Sequence, residues 1–318
     1  MAARRAVRTA TRRRLGTLSD RKVAAGTLKR YKNEVGKFLQ WVLMSKLELP
    51  TNILELDDLL CIFVEELWAS GESVSLAEGC ISGIHHFIPQ LALRTPGPQK
   101  LIKAWHRTEL PRRAPPLSPE IVKGIAGLAI IQGKLDVGVG LLVSFHAFLR
   151  GCELLNLRFG DIHFCHNVAI LNLGLTKGGL RRGAAEQVTV TDASLVTLLR
   201  QLSLGRKRSD PLISVQPRSF RDYFQRILVF FGLGPGFTLH SLRRGGATYF
   251  FMKTGNMACT IERGRWECVR TARIYISEGL AQLANHSLNV STVKALFDAA
   301  HAIQVQVECS KRQLIQVS

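Results

Sequence analysis

The sequence predicts a mainly α chain with a small antiparallel β-sheet, divided into two domains. Three observations carry this expectation. Apolar residues recur at helical spacing between residues 22 and 108, with no convincing strand before Pro111. The stretch Leu110-Pro-Arg-Arg-Ala-Pro-Pro-Leu117 cannot continue a helix, because each proline lacks an amide proton and restricts the residue before it. Three β-rich segments, near 159–165, 168–174 and 186–191, then sit among further helical patterns.

Residues 1–19 contain Arg4, Arg5, Arg8, Arg12, Arg13 and Arg14 and no acid before Asp20, which fits either a disordered basic arm or a mitochondrial transit peptide. Residues 22–45 place Leu28, Tyr31, Val35, Phe38, Leu39 and Val42 on one helical stripe, with Arg30, Lys32 and Lys37 off it. Further helices are expected near 55–69, 74–91 and 98–108, so that 20–109 forms an all-α domain. Residues 110–117, carrying Arg112 and Arg113, read as the linker. Ser118 before Pro119 and Glu120 has the form of an N-cap with proline at the first helical position, opening a domain that runs from 118 to 318. Helices near 119–131 and 136–157 precede the three strands. Thr176-Lys177-Gly178-Gly179 gives a hairpin-type turn between the second and third strands, with Arg181 and Arg182 just beyond it. Helices follow to the C-terminus.

Lys and Arg total 43 against 24 Asp and Glu, a net charge of +19 and a pI near 10.2. The excess is spread: residues 1–116 carry 19 basic and 11 acidic side chains, and residues 117–318 carry 24 and 13. A polyanion that contacts both domains is the simplest partner, and nucleic acid is favoured over an acidic membrane because no basic amphipathic helix dominates. The seven cysteines are odd in number and never closely paired, which points to free thiols in a reducing compartment. His163, Cys165 and His166 cluster without a second ligand pair, so no metal site is expected there. No P-loop or dinucleotide fingerprint occurs, and no cofactor is expected. The apolar run Val137–Leu149 is too short to span a bilayer.

Several residues could handle an anion. Arg150 ends an apolar stretch where a guanidinium is expensive to bury unless Glu153, one turn on, or a phosphate satisfies it. His240 and Arg243 lie three apart at the start of a helix that Thr238 can cap, facing the side where backbone amides also point. Taken singly, Lys177 reads as a solvated turn lysine, Trp266 as core and Tyr275 as a half-buried aromatic.

Order and spacing change that reading. An arginine followed by a glutamate, a lysine in a hairpin, His-x-x-Arg, Gly264-Arg-Trp266, and a tyrosine nine residues after that tryptophan together resemble the tyrosine recombinase (phage integrase) family. FLRGCELLNLRFGDI (148–162) resembles its first arginine box and HSLRRGGAT (240–248) its second, and the likeness spans roughly residues 20–300. It implies a two-domain DNA clamp, with a helical core-binding (SAM-like) domain and a mixed α/β catalytic domain. It also implies that Arg150 and Arg243 clamp the scissile phosphate, Tyr275 is the nucleophile, Lys177 protonates the 5′-oxygen, and His240 binds phosphate or moves the tyrosine proton. Trp266 would stand where many members have histidine, and Glu153 would support the Arg150 region. Arg30, Lys32, Lys37, Arg112, Arg113, Arg181, Arg182, Arg244 and Arg265 are the expected DNA contacts, Arg244 alternatively an ion-pair partner.

The residue types suit that chemistry. Attack on a phosphodiester builds negative charge on the equatorial oxygens, and two fixed guanidiniums stabilise it through bidentate hydrogen bonds. The implied product is a 3′-phosphotyrosyl enzyme, which conserves bond energy for rejoining. The implied partner is double-stranded DNA bound by a homo-tetramer, in a nucleus or a bacterial nucleoid. Val290, Val293, Leu296 and Phe297 could form a helix that reaches a neighbouring subunit or one that caps its own domain. Two other readings stay open: a type IB topoisomerase and a recombinase-derived DNA-binding protein without catalysis.

Overall fold

The computed structural model describes all residues except 1, 16, 19–20, 111–112, 177, 180–182, 278, 280–287 and 318. The chain divides into two compact units, Met1–Arg112 and Arg113–Ser318.

In the first unit, α1 (Ala2–Leu15) turns the expected arm into a helix, as its alanines and arginines favour. Four helices follow: α2 (Ala25–Met44), α3 (Ile53–Ala69), α4 (Val74–Phe87) and α5 (Pro96–Thr108). Asn52 caps α3 by accepting the Glu55 amide at 3.0 Å. The core joins Phe38 and Val42 of α2 to Leu60 and Phe63 of α3, Cys80 and Ile84 of α4, and Trp105 of α5. Rings meet edge to face, Phe38 on Phe63 at 5.2 Å and Trp68 on Trp105 at 5.2 Å. Leu39, expected on the buried stripe, is exposed, since it lies one position past Phe38 on the helix's outer edge.

The second unit begins with α6 (Pro119–Ile131), capped by Ser118 as its sequence predicts, and α7 (Leu135–His146). The single helix expected over 136–157 is broken. Phe148 adopts φ 48°, a conformation costly for a bulky residue, and a short α8 (Gly151–Asn156) restarts with Arg150 at its N-cap. Strands β1 (Ile162–Cys165), β2 (Val168–Gly174) and β3 (Glu186–Val190) form an antiparallel sheet in the order β1-β2-β3. Ala169 pairs with Val190 and Leu171 with Val188, which puts these apolar residues on the inner face. Helices α9 (Ala193–Ser203), α10 (Pro217–Phe230), α11 (Leu239–Thr254), α12 (Met257–Gly264), α13 (Val269–Tyr275) and α14 (Val290–Val317) complete the unit. Among the described residues, no helix is long and apolar enough to cross a membrane.

Three close backbone contacts set the helix positions. A Cβ at Gly245 would stand 1.9 Å from the Leu117 carbonyl oxygen, and one at Gly246 would stand 2.0 Å from that of Phe145, so α11 seats its backbone directly on neighbouring chain. Likewise, a Cβ at Gly127 of α6 would lie 1.9 Å from the Ala299 carbonyl of α14. Helix α14 therefore packs on its own domain, burying Leu296, Ala299 and Val307, while Val290, Val293 and Phe297 remain exposed.

Gly246→Ala and Gly127→Ala should each destabilise the chain by about 1–3 kcal/mol, because backbone must move to admit the methyl group. Gly36→Ala, where nothing lies within 4 Å, should raise stability by about 0.5–1 kcal/mol through helix propensity. Urea denaturation of the three variants measures both effects.

Candidate active site

The C-terminal end of α7 organises the site. Helix ends leave carbonyls without intrahelical partners, and here three arginines take them up. Arg263 donates to the His146 carbonyl at 3.0 and 2.7 Å. Arg265 donates to the carbonyls of Ala147 at 3.4 Å and Phe148 at 3.3 Å. Arg243 donates through Nη1 to the Phe148 carbonyl and through Nη2 to that of Gly264 at 2.7 Å. Cations also suit the negative end of the helix dipole.

Glu153, buried at the start of α8, gathers the charges. Its Oε2 accepts the Arg150 amide at 2.8 Å and Arg265 Nη2 at 2.6 Å, and its Oε1 accepts Arg150 Nη1 at 2.5 Å. Arg243 Nη1 stands 4.0 Å from Oε2. Burial opposes the charge of Arg150, but the hydrogen bond to Glu153 and its carboxylate charge prevail and hold the guanidinium above its usual range. Arg243 goes the other way. Burial, then the nearby Arg150 and Arg265, bring it down to about 10, so it stays protonated at neutral pH.

The aromatic residues stand beside this cluster. Trp266 lies between Phe148, at 6.4 Å, and Tyr275, at 4.7 Å between ring centroids. The Arg243 guanidinium is 5.3 Å from both the Trp266 and Tyr275 rings. Gly264 makes room for the indole, since a Cβ there would meet the Trp266 ring at 2.2 Å. Buried Trp266 Nε1 and Arg243 Nε have no hydrogen-bond partner among the described residues. Tyr275 ends α13, with its carbonyl accepting from Thr248 Oγ1 at 3.3 Å while that oxygen accepts the Ser277 amide at 3.2 Å. His240 opens α11 behind the Thr238 cap and sets its ring 5.2 Å from that of Tyr275. Partial burial, then Arg243, Arg244 and Arg150, push the His240 pKa down, so the imidazole is neutral at pH 7.

Five of the six residues in the sequence-derived constellation, Arg150, His240, Arg243, Trp266 and Tyr275, thus converge. Lys177 lies outside the described residues, as do Arg112, Arg181 and Arg182. Arg30, Lys32, Lys37 and Arg113 are exposed. Arg244 and Arg265 are not on the surface where DNA contacts were expected. Arg244 is buried, donating to the Ala114 carbonyl at 2.9 Å and Ser277 Oγ at 2.7 Å. Arg265 is buried between Glu153 and Glu186, with its Nε 3.1 Å from Glu186 Oε2. Arg243 is fully buried too, whereas the side chain of Arg150 keeps 27% of its surface open.

Sequence reasoning missed Glu186, Arg263 and Thr248. Glu186 carried a signal: in Glu-Gln-Val-Thr-Val the alternation puts it on the same face as Val188 and Val190, where an unpaired carboxylate is costly. Arg263 and Thr248 carried none, because their partners are backbone groups of distant segments.

No protein-family model matches the sequence, and no curated protein matches it. Among solved structures, a lambda integrase dimer bound to a COC′ core site aligns with TM-score 0.58 at 14% identity, covering 82% of this chain and 74% of that one. Residues 75–356 of lambda integrase, also as a dimer on a COC′ core site, align with TM-score 0.59 at 14% identity, covering 82% and 92%. The Tn1549 transposon integrase in complex with circular intermediate DNA aligns with TM-score 0.50 at 13% identity, covering 73% and 84%. The chain therefore has the tyrosine recombinase fold.

Glu153→Gln removes the negative charge hydrogen-bonded to both Arg150 and Arg265. It should cost about 3–5 kcal/mol of stability, as expected when one partner of a buried ion cluster is lost, and chemical denaturation measures this.

Proposed function

We propose that this chain is a site-specific DNA strand transferase of the recombinase or integrase type, with Tyr275 as its nucleophile. The observation that supports it most is the convergence of Arg150, His240, Arg243, Trp266 and Tyr275, which come from four separated segments of a recombinase fold. A structural explanation of each residue alone does not account for a neutral imidazole, a tyrosine and guanidiniums at one place.

In this reading the DNA phosphate first meets Arg150, the more open guanidinium. The Tyr275 ring lies over Arg243 and swings aside to admit a phosphate oxygen to Arg243 Nε and Trp266 Nε1, two buried donors without a hydrogen-bond partner among the described residues. Tyr275 gives its phenolic proton to His240 and its oxygen attacks phosphorus. The P–O5′ bond breaks, and the 5′-oxygen takes a proton, assigned to Lys177. The charge gathered on the equatorial oxygens is met by donors already fixed by Glu153 and the α7 carbonyls, which lowers the reorganisation needed in the transition state. Rejoining is the reverse attack by a 5′-hydroxyl. Arg30, Lys32, Lys37 and Arg113 would hold the duplex backbone, and a homo-tetramer on DNA would pair the strands to be exchanged.

Nicked suicide duplexes test this. Wild-type protein should form a denaturant-resistant DNA adduct, Tyr275→Phe should form none, and Arg150→Ala should form it about 10²–10³-fold more slowly. DNA binding without an adduct on any duplex would instead mark a non-catalytic DNA-binding protein. Relaxation of supercoiled plasmid without defined sites would mark a topoisomerase. Adduct formation should also fall on the acid side as His240 becomes protonated. Because its pKa is depressed, that limb should lie below the ordinary histidine value of 6.5 and vanish in His240→Gln. DNA affinity should drop steeply between 50 and 200 mM salt, as ion release from phosphates requires.

A further inference from the structure

We infer that Arg265 and Glu186 form a buried positioning pair that fixes the neck of the β2–β3 connection against the anion site, so that the leaving-group half of the reaction depends on it. The inference rests on the strand-transferase reading above.

Glu186 is the first residue of β3 and shares the inner face with Val188 and Val190. Opposite it the β2–β3 register shifts between Asn172 and Gly174, so the ladder does not hold the end of the sheet in regular pairing. Polar side chains close the neck there. Thr176 Oγ1 donates to Glu186 Oε2 at 2.6 Å and accepts the Gly179 amide at 3.1 Å, and the Ala184 amide donates to the Gly179 carbonyl at 3.0 Å. Gly179 is required by the crossing: a Cβ would lie 2.4 Å from the Ala184 carbonyl oxygen. Arg265 then ties this neck inward through Nε at 3.1 Å to the same Glu186 oxygen.

The same guanidinium donates to Glu153 through Nη2, and Glu153 holds Arg150. An unbroken chain of ion pairs therefore runs Arg150–Glu153–Arg265–Glu186 and ends in the hydrogen bond to Thr176, and Lys177 is the next residue in sequence. Arg265 reaches both carboxylates from φ 56° and ψ 40°, the left-handed region, which a non-glycine residue adopts at a cost and keeps only when its surroundings fix it. A pair needed only to neutralise Glu186 would not have to span the distance from the neck to the phosphate-binding arginine. This one links the group that meets the phosphate to the segment assigned to the departing 5′-oxygen.

The test uses two nicked suicide duplexes of one sequence, with oxygen or sulfur at the 5′-bridging position of the scissile phosphate. A 5′-thiolate leaves without taking a proton, whereas a 5′-oxygen needs one. Thr176→Val and Glu186→Gln should form adduct about 10- to 100-fold more slowly on the oxygen duplex, in line with the cost of small misplacements of a reacting group. Both should be near wild type on the sulfur duplex. Arg150→Ala should be slow on both. Equal slowing of Thr176→Val on the two duplexes, or no slowing on oxygen, would overturn the inference. If Glu186→Gln shows no cooperative urea transition, Thr176→Val decides alone, since it removes one hydroxyl and leaves the ion pair. Absence of any wild-type adduct would overturn the strand-transferase reading together with this inference.

Discussion

The carboxylate of Glu153 is the constraint on which the second unit depends. It sits at the junction where α7 ends and α8 begins, and it accepts hydrogen bonds from two guanidiniums and a backbone amide while a third guanidinium stands 4.0 Å away. Three like charges held this closely repel one another strongly in a medium of low dielectric constant. They persist because Glu153 and Glu186 supply two negative charges and the carbonyls of Ala147, Phe148 and Gly264 supply further acceptors. Desolvation makes such a cluster a weak source of net stability but a strong determinant of geometry, because every other arrangement leaves a buried charge unmet.

That geometry concentrates positive charge. The protein groups balance the arginines only in part, and Arg243 Nε and Trp266 Nε1 remain without partners among the described residues. Unpartnered donors in a buried site cost free energy, and a phosphate oxygen would recover it. The depressed pKa of His240 follows first from its partial burial and then from the same excess of positive charge, which together keep the imidazole neutral beside Tyr275.

Packing fixes where these groups stand. Gly245 and Gly246 let α11 approach the chain at Leu117 and Phe145, which places Arg243 against Phe148. Gly264 gives Trp266 its place under Tyr275. Helix α14 closes the domain over α6, with Leu296 turned inward and Phe297 outward.

Much of this was legible in the sequence because it is local. Helical periodicity, the Ser118-Pro119 cap, the Thr238 cap and the alternation of β3 depend on neighbours within a few residues, and the spacing of the two arginine boxes and the Trp266–Tyr275 interval singled out residues that the fold brings together. Tertiary structure decided the rest. Phe148 breaks a helix that its apolar neighbours would continue, because Arg243 and Arg265 take up its carbonyl. Arg244 and Arg265 resemble surface cations in sequence yet are buried, because their partners, Ala114, Ser277, Glu153 and Glu186, come from distant parts of the chain. A residue's type and spacing announce that it carries charge, but only the fold determines which opposite charge meets it and whether water is present.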